Sequence, residues 1–378
     1  MTAGAVIFRN GRLFDGRRLR DGSAARFEAG VLADIGPEAE TAAEGEVDLD
    51  GDILSPGYVD LQVNGGDGLM FNDDPSVETL RRMAAAHRRL GVTRMLPTLI
   101  TDTRDITRAA IAAAQAAIEA DVPGIAGLHL EGPHLSVARK GAHEAALIRP
   151  MEPSDLDMLL SAAESLPVLK VTLAPESVTA EQVDALVRGG VLVSLGHSDA
   201  DFDTCRRYMS SGARCVTHLF NAMSQIGNRE PGLAGAALAE PRASAGLIAD
   251  GIHVHPEVIR LAWRAAPGRV FLVSDAMAVA GTTRDRFELN GRTILRKNRQ
   301  LRLADGTLAG ADLDLTTAVS VLVERVGVGL EDALAAATRV PAELCGLSGS
   351  KLQPGVSALS GMIRIRADFS GVRPLIAE

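Results

Sequence analysis

Two carboxylates and two imidazoles stand at the ends of short apolar runs, in Leu130-Glu131-Gly132, Gly196-His197-Ser198, Thr217-His218-Leu219 and Ser274-Asp275-Ala276. Glu131, His197 and His218 together make the N/O donor set with which a hydrolytic site holds a divalent ion while leaving a position for water. A lone strand-end histidine is more often a hydrogen-bonded bystander. Three such groups at the ends of separate runs favour one divalent metal ion per subunit. Zinc is expected, with iron, cobalt and manganese as alternatives, because this donor set suits all four. Asp275 then reads as general base and general acid, since a bound metal brings the pKa of water from 15.7 to about 7 and a nearby carboxylate need only take its proton. Its plain alternative is a helix cap.

The other histidines sort by position. His87 falls among Arg and Ala residues in a helical stretch and reads as a solvated surface side chain. Strand alternation puts His129 on the same side as Glu131, where it could support a ligand. His134, His143, His253 and His255 follow apolar runs as loop histidines, functional candidates with simple exposure as the alternative. Cys205, Cys215 and Cys345 form neither an even set nor a C-x-x-C pair, which argues against disulfides and thiolate metal sites.

Elements must carry these residues to one place. Eight β-rich runs, at 53–63, 94–99, 125–130, 168–173, 191–195, 215–218, 246–249 and 270–273, alternate with helical stretches such as 76–90, 104–120 and 181–188. Their starts lie about twenty to forty residues apart, the length of one βα unit. Eight repeats favour a closed (β/α)8 TIM-like barrel over an open sheet, and in a barrel the catalytic groups project from the carboxyl ends of the strands. Ser154 and Asp157 resemble a capping box opening one helix.

The ends differ in kind. Turns at Asn10-Gly11, Asp15-Gly16 and Asp21-Gly22 predict β-hairpins, and 363–369 alternates like a strand. The expectation is a small β-sandwich lobe built from residues 1–52 and 348–378 around a barrel spanning 53–347. An excursion at 287–308, with turns at Asn290-Gly291 and Asp305-Gly306, is expected near the barrel mouth.

Composition narrows the partners. A net charge of −9 with 3% aromatic residues leaves no basic stripe or stacking platform for nucleic acid. Any anionic ligand must be held by a few local cations. No apolar run reaches the roughly 18 residues of a membrane span, and Arg9, Arg12 and Asp15 interrupt the stretch where a leader needs an apolar core. A cytoplasmic protein without membrane contact is expected.

Seven blocks in order carry a resemblance: His129-Leu130-Glu131-Gly132-Pro133, Lys140-Gly141-Ala142-His143, Gly196-His197-Ser198-Asp199-Ala200, Thr217-His218-Leu219-Phe220-Asn221-Ala222-Met223, Arg229-Glu230-Pro231-Gly232, Asp250-Gly251-Ile252-His253 and Ser274-Asp275-Ala276-Met277. From about Ser55 to Leu347 the chain resembles the N-acetylglucosamine-6-phosphate deacetylases of the amidohydrolase superfamily. The resemblance implies metal ligation by Glu131, His197 and His218, with Asp275 as acid and base. It further implies that His143, Asn221 and Ala222 contact the substrate, and that Arg229 and His253 hold its phosphate. Part of that clamp comes from a neighbouring subunit in the family, which implies a homodimer.

Where many barrel amidohydrolases carry His-x-His after the first strand, Gln62 and Asn64 stand here. Neutral amides are poor ligands for a transition metal, so one metal is expected, with the pair orienting water or substrate or bonding the turn. The implied reaction is deacetylation of N-acetyl-D-glucosamine 6-phosphate to D-glucosamine 6-phosphate and acetate, the alternative being another N-acyl amino sugar or amide. Two departures from the family pattern are Pro354-Gly355-Val356-Ser357-Ala358-Leu359-Ser360, which bears on packing, and Ala311, which bears on a substrate contact.

Overall fold

The computed structural model describes residues 4–36, 39, 43–289 and 291–375. Eight parallel strands lie side by side in chain order: β1 (Tyr58–Val63), β2 (Val92–Ile100), β3 (Leu128–Glu131), β4 (Leu169–Leu173), β5 (Leu192–Leu195), β6 (Cys215–Val216), β7 (Ser244–Leu247) and β8 (Val270–Leu272). A parallel bridge joins Val63 to Ala276, and Asn64 N donates to the Ala276 carbonyl at 2.9 Å. The chain beyond β8 therefore returns against β1, giving a nearly closed TIM-like barrel rather than an open sheet.

Helices α1 (Val77–Arg89), α2 (Arg104–Glu119), α3 (Pro153–Ser165), α4 (Ala180–Arg188), α5 (Phe202–Ser210), α6 (Gly232–Ala239) and α7 (Pro256–Ala265) alternate with the strands. In α1 the buried face is Leu80, Met83, Ala84 and His87, the i, i+3, i+4, i+7 stripe of a packed helix. His87 is thus 2% exposed rather than solvated, and its Nε2 lies 2.8 Å from the Gly65 carbonyl. Helical period, not the polar neighbours in sequence, decides its side. The cap of α3 also differs from expectation: Glu152 and Asp155 form the capping box, two residues before Ser154 and Asp157. Pro153 takes the first helical position, where its missing N–H costs nothing.

The run at 53–63 divides in two. Ile53–Pro56 joins Arg12–Phe14, Leu19–Asp21, Met362–Ile365 and Val372–Pro374 in a five-stranded sheet, so both ends of the chain share one set of backbone hydrogen bonds. Gly57 separates it from β1, and a Cβ there would lie 2.1 Å from the Thr93 side chain. A second sheet of four strands holds Ala5–Arg9, Ala25–Glu28, Val31–Ile35 and Gly45–Asp48. The atypical segment around Ser357 packs against it: Leu32 N donates to the Ser357 carbonyl and Leu359 N to the Gly30 carbonyl, both at 2.8 Å.

The excursion after β8 is a four-stranded antiparallel sheet of Arg286–Leu289, Arg292–Lys297, Gln300–Arg302 and Leu308–Ala311. Asn290 of the expected turn lies outside the described residues. Among the described residues no helix is long and apolar enough to cross a membrane.

Asp52 and Arg364 tie the two ends together. Asp52 is 4% exposed and accepts from the Arg364 guanidinium, which also donates to the Leu49 carbonyl at 2.8 Å. Arg364→Met strips the main cation from a buried carboxylate and is expected to cost about 3 kcal/mol, seen as a lower denaturant midpoint. An unchanged midpoint would contradict this role.

Candidate active site

A hydrogen-bonded belt crosses the barrel lumen. Val63 N donates to Thr98 Oγ1 at 3.0 Å, Thr98 Oγ1 meets His129 Nδ1 at 3.1 Å, and His129 Nε2 meets Thr172 Oγ1 at 2.7 Å. Thr172 and Ser194 reach Thr217 Oγ1 at 2.7 and 2.6 Å. Every side chain in this belt is buried, and each finds a partner on a neighbouring strand. His129 is therefore a member of the belt, and its ring atoms are spoken for by two threonines rather than by Glu131.

Beyond the belt the strand-end residues converge. Glu131 ends β3, while His197 and His218 follow β5 and β6 by two residues. His197 Nε2 and His218 Nε2 lie 3.2 and 3.0 Å from Glu131 Oε1 and 3.0 Å from each other. His197 Nδ1 stands 2.8 Å from the Arg139 carbonyl, which can only accept, so that nitrogen carries the hydrogen. With Nδ1 donating, Nε2 is the ring atom turned toward Glu131 and His218. One carboxylate oxygen and two ring nitrogens at this spacing make a donor set that suits a divalent metal. Burial alone would raise Glu131; the His197 and His218 contacts outweigh it and hold the carboxyl well below its usual range.

His143 stands beside this group. Glu131, His143 and His197 each place one ligating atom within 4.8 Å of the other two, and the His143 and His197 ring centroids are 4.4 Å apart. Its Nδ1 is taken by Thr101, through Oγ1 at 2.8 Å and the backbone N–H at 3.3 Å. Spacing alone makes His143 a further candidate ligand, but the Thr101 N–H donating to its Nδ1 leaves the hydrogen of the neutral ring on Nε2, and His218 sits closer to Glu131. Burial, reinforced by His197, pushes His143 down to about 3, so its ring is neutral at pH 7.

Asp275 follows β8 and faces the cluster through two amides. Its Oδ1 accepts from Asn64 Nδ2 at 2.8 Å and from Gln62 Nε2 at 3.1 Å, and Gln62 Nε2 also lies 3.2 Å from both Glu131 oxygens. Burial first, then the Glu131 charge, raises the Asp275 carboxyl above its usual range. Below it the Asp60 carboxylate accepts from Ser274 N at 3.2 and 3.3 Å, anchoring the backbone that presents Asp275.

Backbone strain accompanies this convergence. His197, His218, Phe220, Ala222 and Asp275 all have positive φ, at 47, 32, 74, 49 and 49°. Side chains adopt that region at a cost of order 1–3 kcal/mol each, and such residues gather where function dictates direction. No pattern of residue types announces these angles in the sequence.

The cluster floors a cavity of about 570 Å3. Asn64, His143, Asn221, Ala222, His253 and Asp275 line it with the three ligand candidates. His253 is held by Asp250, Nδ1 to Oδ2 at 2.6 Å. Arg229 is exposed and is not part of the lining. His134 bonds the Arg149 carbonyl at 3.0 Å, and His255 caps α7. Sequence reasoning missed Thr101 and Arg302, the latter brought to the lining by the excursion sheet with Gly306 and Thr307. Ala311 is buried, its N–H donates to the Asp275 carbonyl at 2.9 Å, and it lies outside the lining, so the departure there touches backbone support rather than the cavity wall.

A parallel barrel with imidazoles and carboxylates converging beyond its strand ends defines a barrel hydrolase carrying a candidate metal site. The chain belongs to the amidohydrolase family, whose model matches residues 53–359, and it is a hydrolytic enzyme acting on amides. It is 46% identical over 291 residues to N-acetylgalactosamine-6-phosphate deacetylase of Shewanella sp. (strain ANA-3), covering 77% of this chain and 73% of that one. Against N-acetylglucosamine-6-phosphate deacetylase of Haemophilus influenzae it is 34% identical over 300 residues, covering 79% and 78%. The crystal structure of N-acetylglucosamine-6-phosphate deacetylase from Pasteurella multocida matches with a TM-score of 0.91 at 32% identity, over 97% of each chain. The resemblance read from the seven motif blocks therefore holds.

Gln62 bridges the two carboxylates. Gln62→Leu is expected to weaken divalent-metal affinity about 10–100-fold, the usual cost of losing a partner that orients a ligand, as measured by competition with a chromophoric chelator. Unaltered affinity would mean that Glu131 needs no such support.

Proposed function

We propose that this chain hydrolyses the acetamide of N-acetyl-D-glucosamine 6-phosphate, yielding D-glucosamine 6-phosphate and acetate, in amino-sugar catabolism. The observation that carries this reading is the arrangement of Asp275, fixed by Gln62 and Asn64, beside Glu131, His197 and His218 at the base of one cavity. A volume of about 570 Å3 falls within the usual range for small-molecule sites.

Glu131, His197 and His218 would hold one divalent ion per subunit, zinc being expected. Such an ion lowers the pKa of water to about 7 and polarises a carbonyl oxygen. Asp275 takes the proton of the attacking water. Its raised pKa suits it to hold that proton and return it to the departing amine as the C–N bond breaks. The neutral His143 ring, fixed by Thr101 at Nδ1, turns Nε2 toward the cavity, where as an N–H it can donate to the acetamide carbonyl. Asn221 and Ala222 contact the sugar from the wall, and His253 meets the phosphate.

Arg229 completes the phosphate site from the neighbouring subunit of a homodimer; its exposure outside the cavity of its own subunit supports that assignment. We read the protein as cytoplasmic, with the sheets of residues 1–52 and 348–378 as a β-sandwich lobe beside a barrel of 53–347. A second substrate reading, the galactosamine epimer, is favoured by the 46% identity to a protein named for it.

Acetate release from both N-acetylhexosamine 6-phosphates by metal-analysed protein tests the reaction, and their kcat/KM ratio decides the epimer. Release from neither would sink the assignment. Asp275→Asn should retain metal while kcat falls roughly a hundred- to ten-thousandfold, the range for loss of a general acid–base. Arg229→Ala should raise KM for phosphorylated substrate by about 10–100-fold, the worth of one charged hydrogen-bonding group. Equal weakening toward the unphosphorylated sugar would overturn the phosphate role.

A further inference from the structure

At the amino-terminal ends of β1 and β2, away from the strand ends that carry the candidate active site, lies a second cavity of about 300 Å3. It opens between the barrel and the segment that leads back to the terminal sheets, and its lining includes Arg88, Arg94, Ser348, Gly349 and Ser350. Among the described residues no carboxylate lines it, in a chain whose net charge is −9.

Arg94 is the unusual member. It is half-buried, and its guanidinium has no hydrogen bond or ion pair among the described residues, whereas most other partly buried arginines of this chain hold a carboxylate or a carbonyl. Burial lowers its pKa, a cost that no partner among the described residues offsets. Arg88 gives one N–H to the Ser360 carbonyl at 2.9 Å and makes no other side-chain hydrogen bond among the described residues. The hydroxyls of Ser348 and Ser350 likewise make no hydrogen bond among the described residues.

The backbone is shaped around this cation. Register between β1 and β2 shifts from Tyr58–Val92 to Val59–Arg94, so Thr93 is an extra residue. A bulge of this kind re-aims the side chain beside it. Across the cavity Gly349 has φ +80°, and a Cβ there would fall 2.9 Å from Arg94 Nη2. Glycine at 349 lets the chain turn and the guanidinium approach it.

We propose that this cavity is a second ligand site, which binds a tetrahedral oxyanion, the phosphate ion or the phosphoryl end of a small monoester. Two guanidinium groups and two free hydroxyls match its oxygens, and a planar guanidinium can engage two of them at once. Because its walls come from β1, β2, α1 and the chain beyond 347, occupation ties the terminal segment to the barrel. It is independent of the reaction proposed above.

Crystals of the full-length, metal-loaded protein soaked in tungstate, a phosphate mimic, locate the site by anomalous scattering. A peak within hydrogen-bond reach of Arg94 is expected; an empty cavity beside a filled active site overturns the proposal. In solution, inorganic phosphate should bind wild type with one stoichiometric site more than Arg94→Gln, or with at least about tenfold tighter affinity at that site, as expected for a charge-assisted pair. Equal titrations overturn it. Arg94→Gln should leave deacetylase turnover in phosphate-free buffer unchanged, and Arg94→Lys should restore part of the binding. Competition between phosphate and glucose 6-phosphate for that extra site identifies which source is preferred. Should Arg94→Gln fail to fold, the tungstate soak on wild type decides.

Discussion

Glu131, His197 and His218 bring a carboxylate oxygen and two imidazole nitrogens within 3.2 Å of one another in a buried pocket. Such a donor set is of the kind that holds a divalent cation, and the rest of the structure is arranged to keep it together. The belt from Val63 to Ser194 locks the strands just beneath. Positive φ at His197, His218 and Asp275 turns side chains inward that a relaxed backbone would send elsewhere. Strain of this kind persists because a packed barrel over-determines the strand ends.

Two carboxylates in one site then acquire opposite characters. Contact with two imidazoles holds Glu131 well below its ordinary pKa, as suits the ligand role proposed for it. Asp275, buried and facing the Glu131 charge, is raised, as suits the acid–base role proposed for it. Separation of neighbouring titratable groups by their surroundings is how a site divides acid–base labour at pH 7. Gln62 touches both and so links the two carboxylates through one neutral amide.

The barrel does not stand alone. Both chain ends meet in one five-stranded sheet, with the Asp52–Arg364 pair buried behind it. The excursion sheet after β8 brings Arg302, Gly306 and Thr307 to the cavity wall, while Ala311 holds the Asp275 backbone. Support thus reaches the site from segments far away in sequence, which is how a barrel varies its chemistry through loops while keeping its strands.

Legible along the chain were the alternation of strands and helices, the polar residues that follow each strand, and the family. These depend on local period and on residue types at short spacing, and both are written along the chain. Glu131, His197, His218 and Asp275 were legible for that reason. Tertiary structure decided what depends on direction: the burial of His87 against Gly65, the membership of His129 in the belt rather than the cluster, the approach of His143, and the division of 53–63 between two sheets. It also decided the positive φ angles and the stranding of Arg94 without a carboxylate. Distances between segments tens to hundreds of residues apart are set by how the closed barrel packs, which short-range pattern along the chain does not encode.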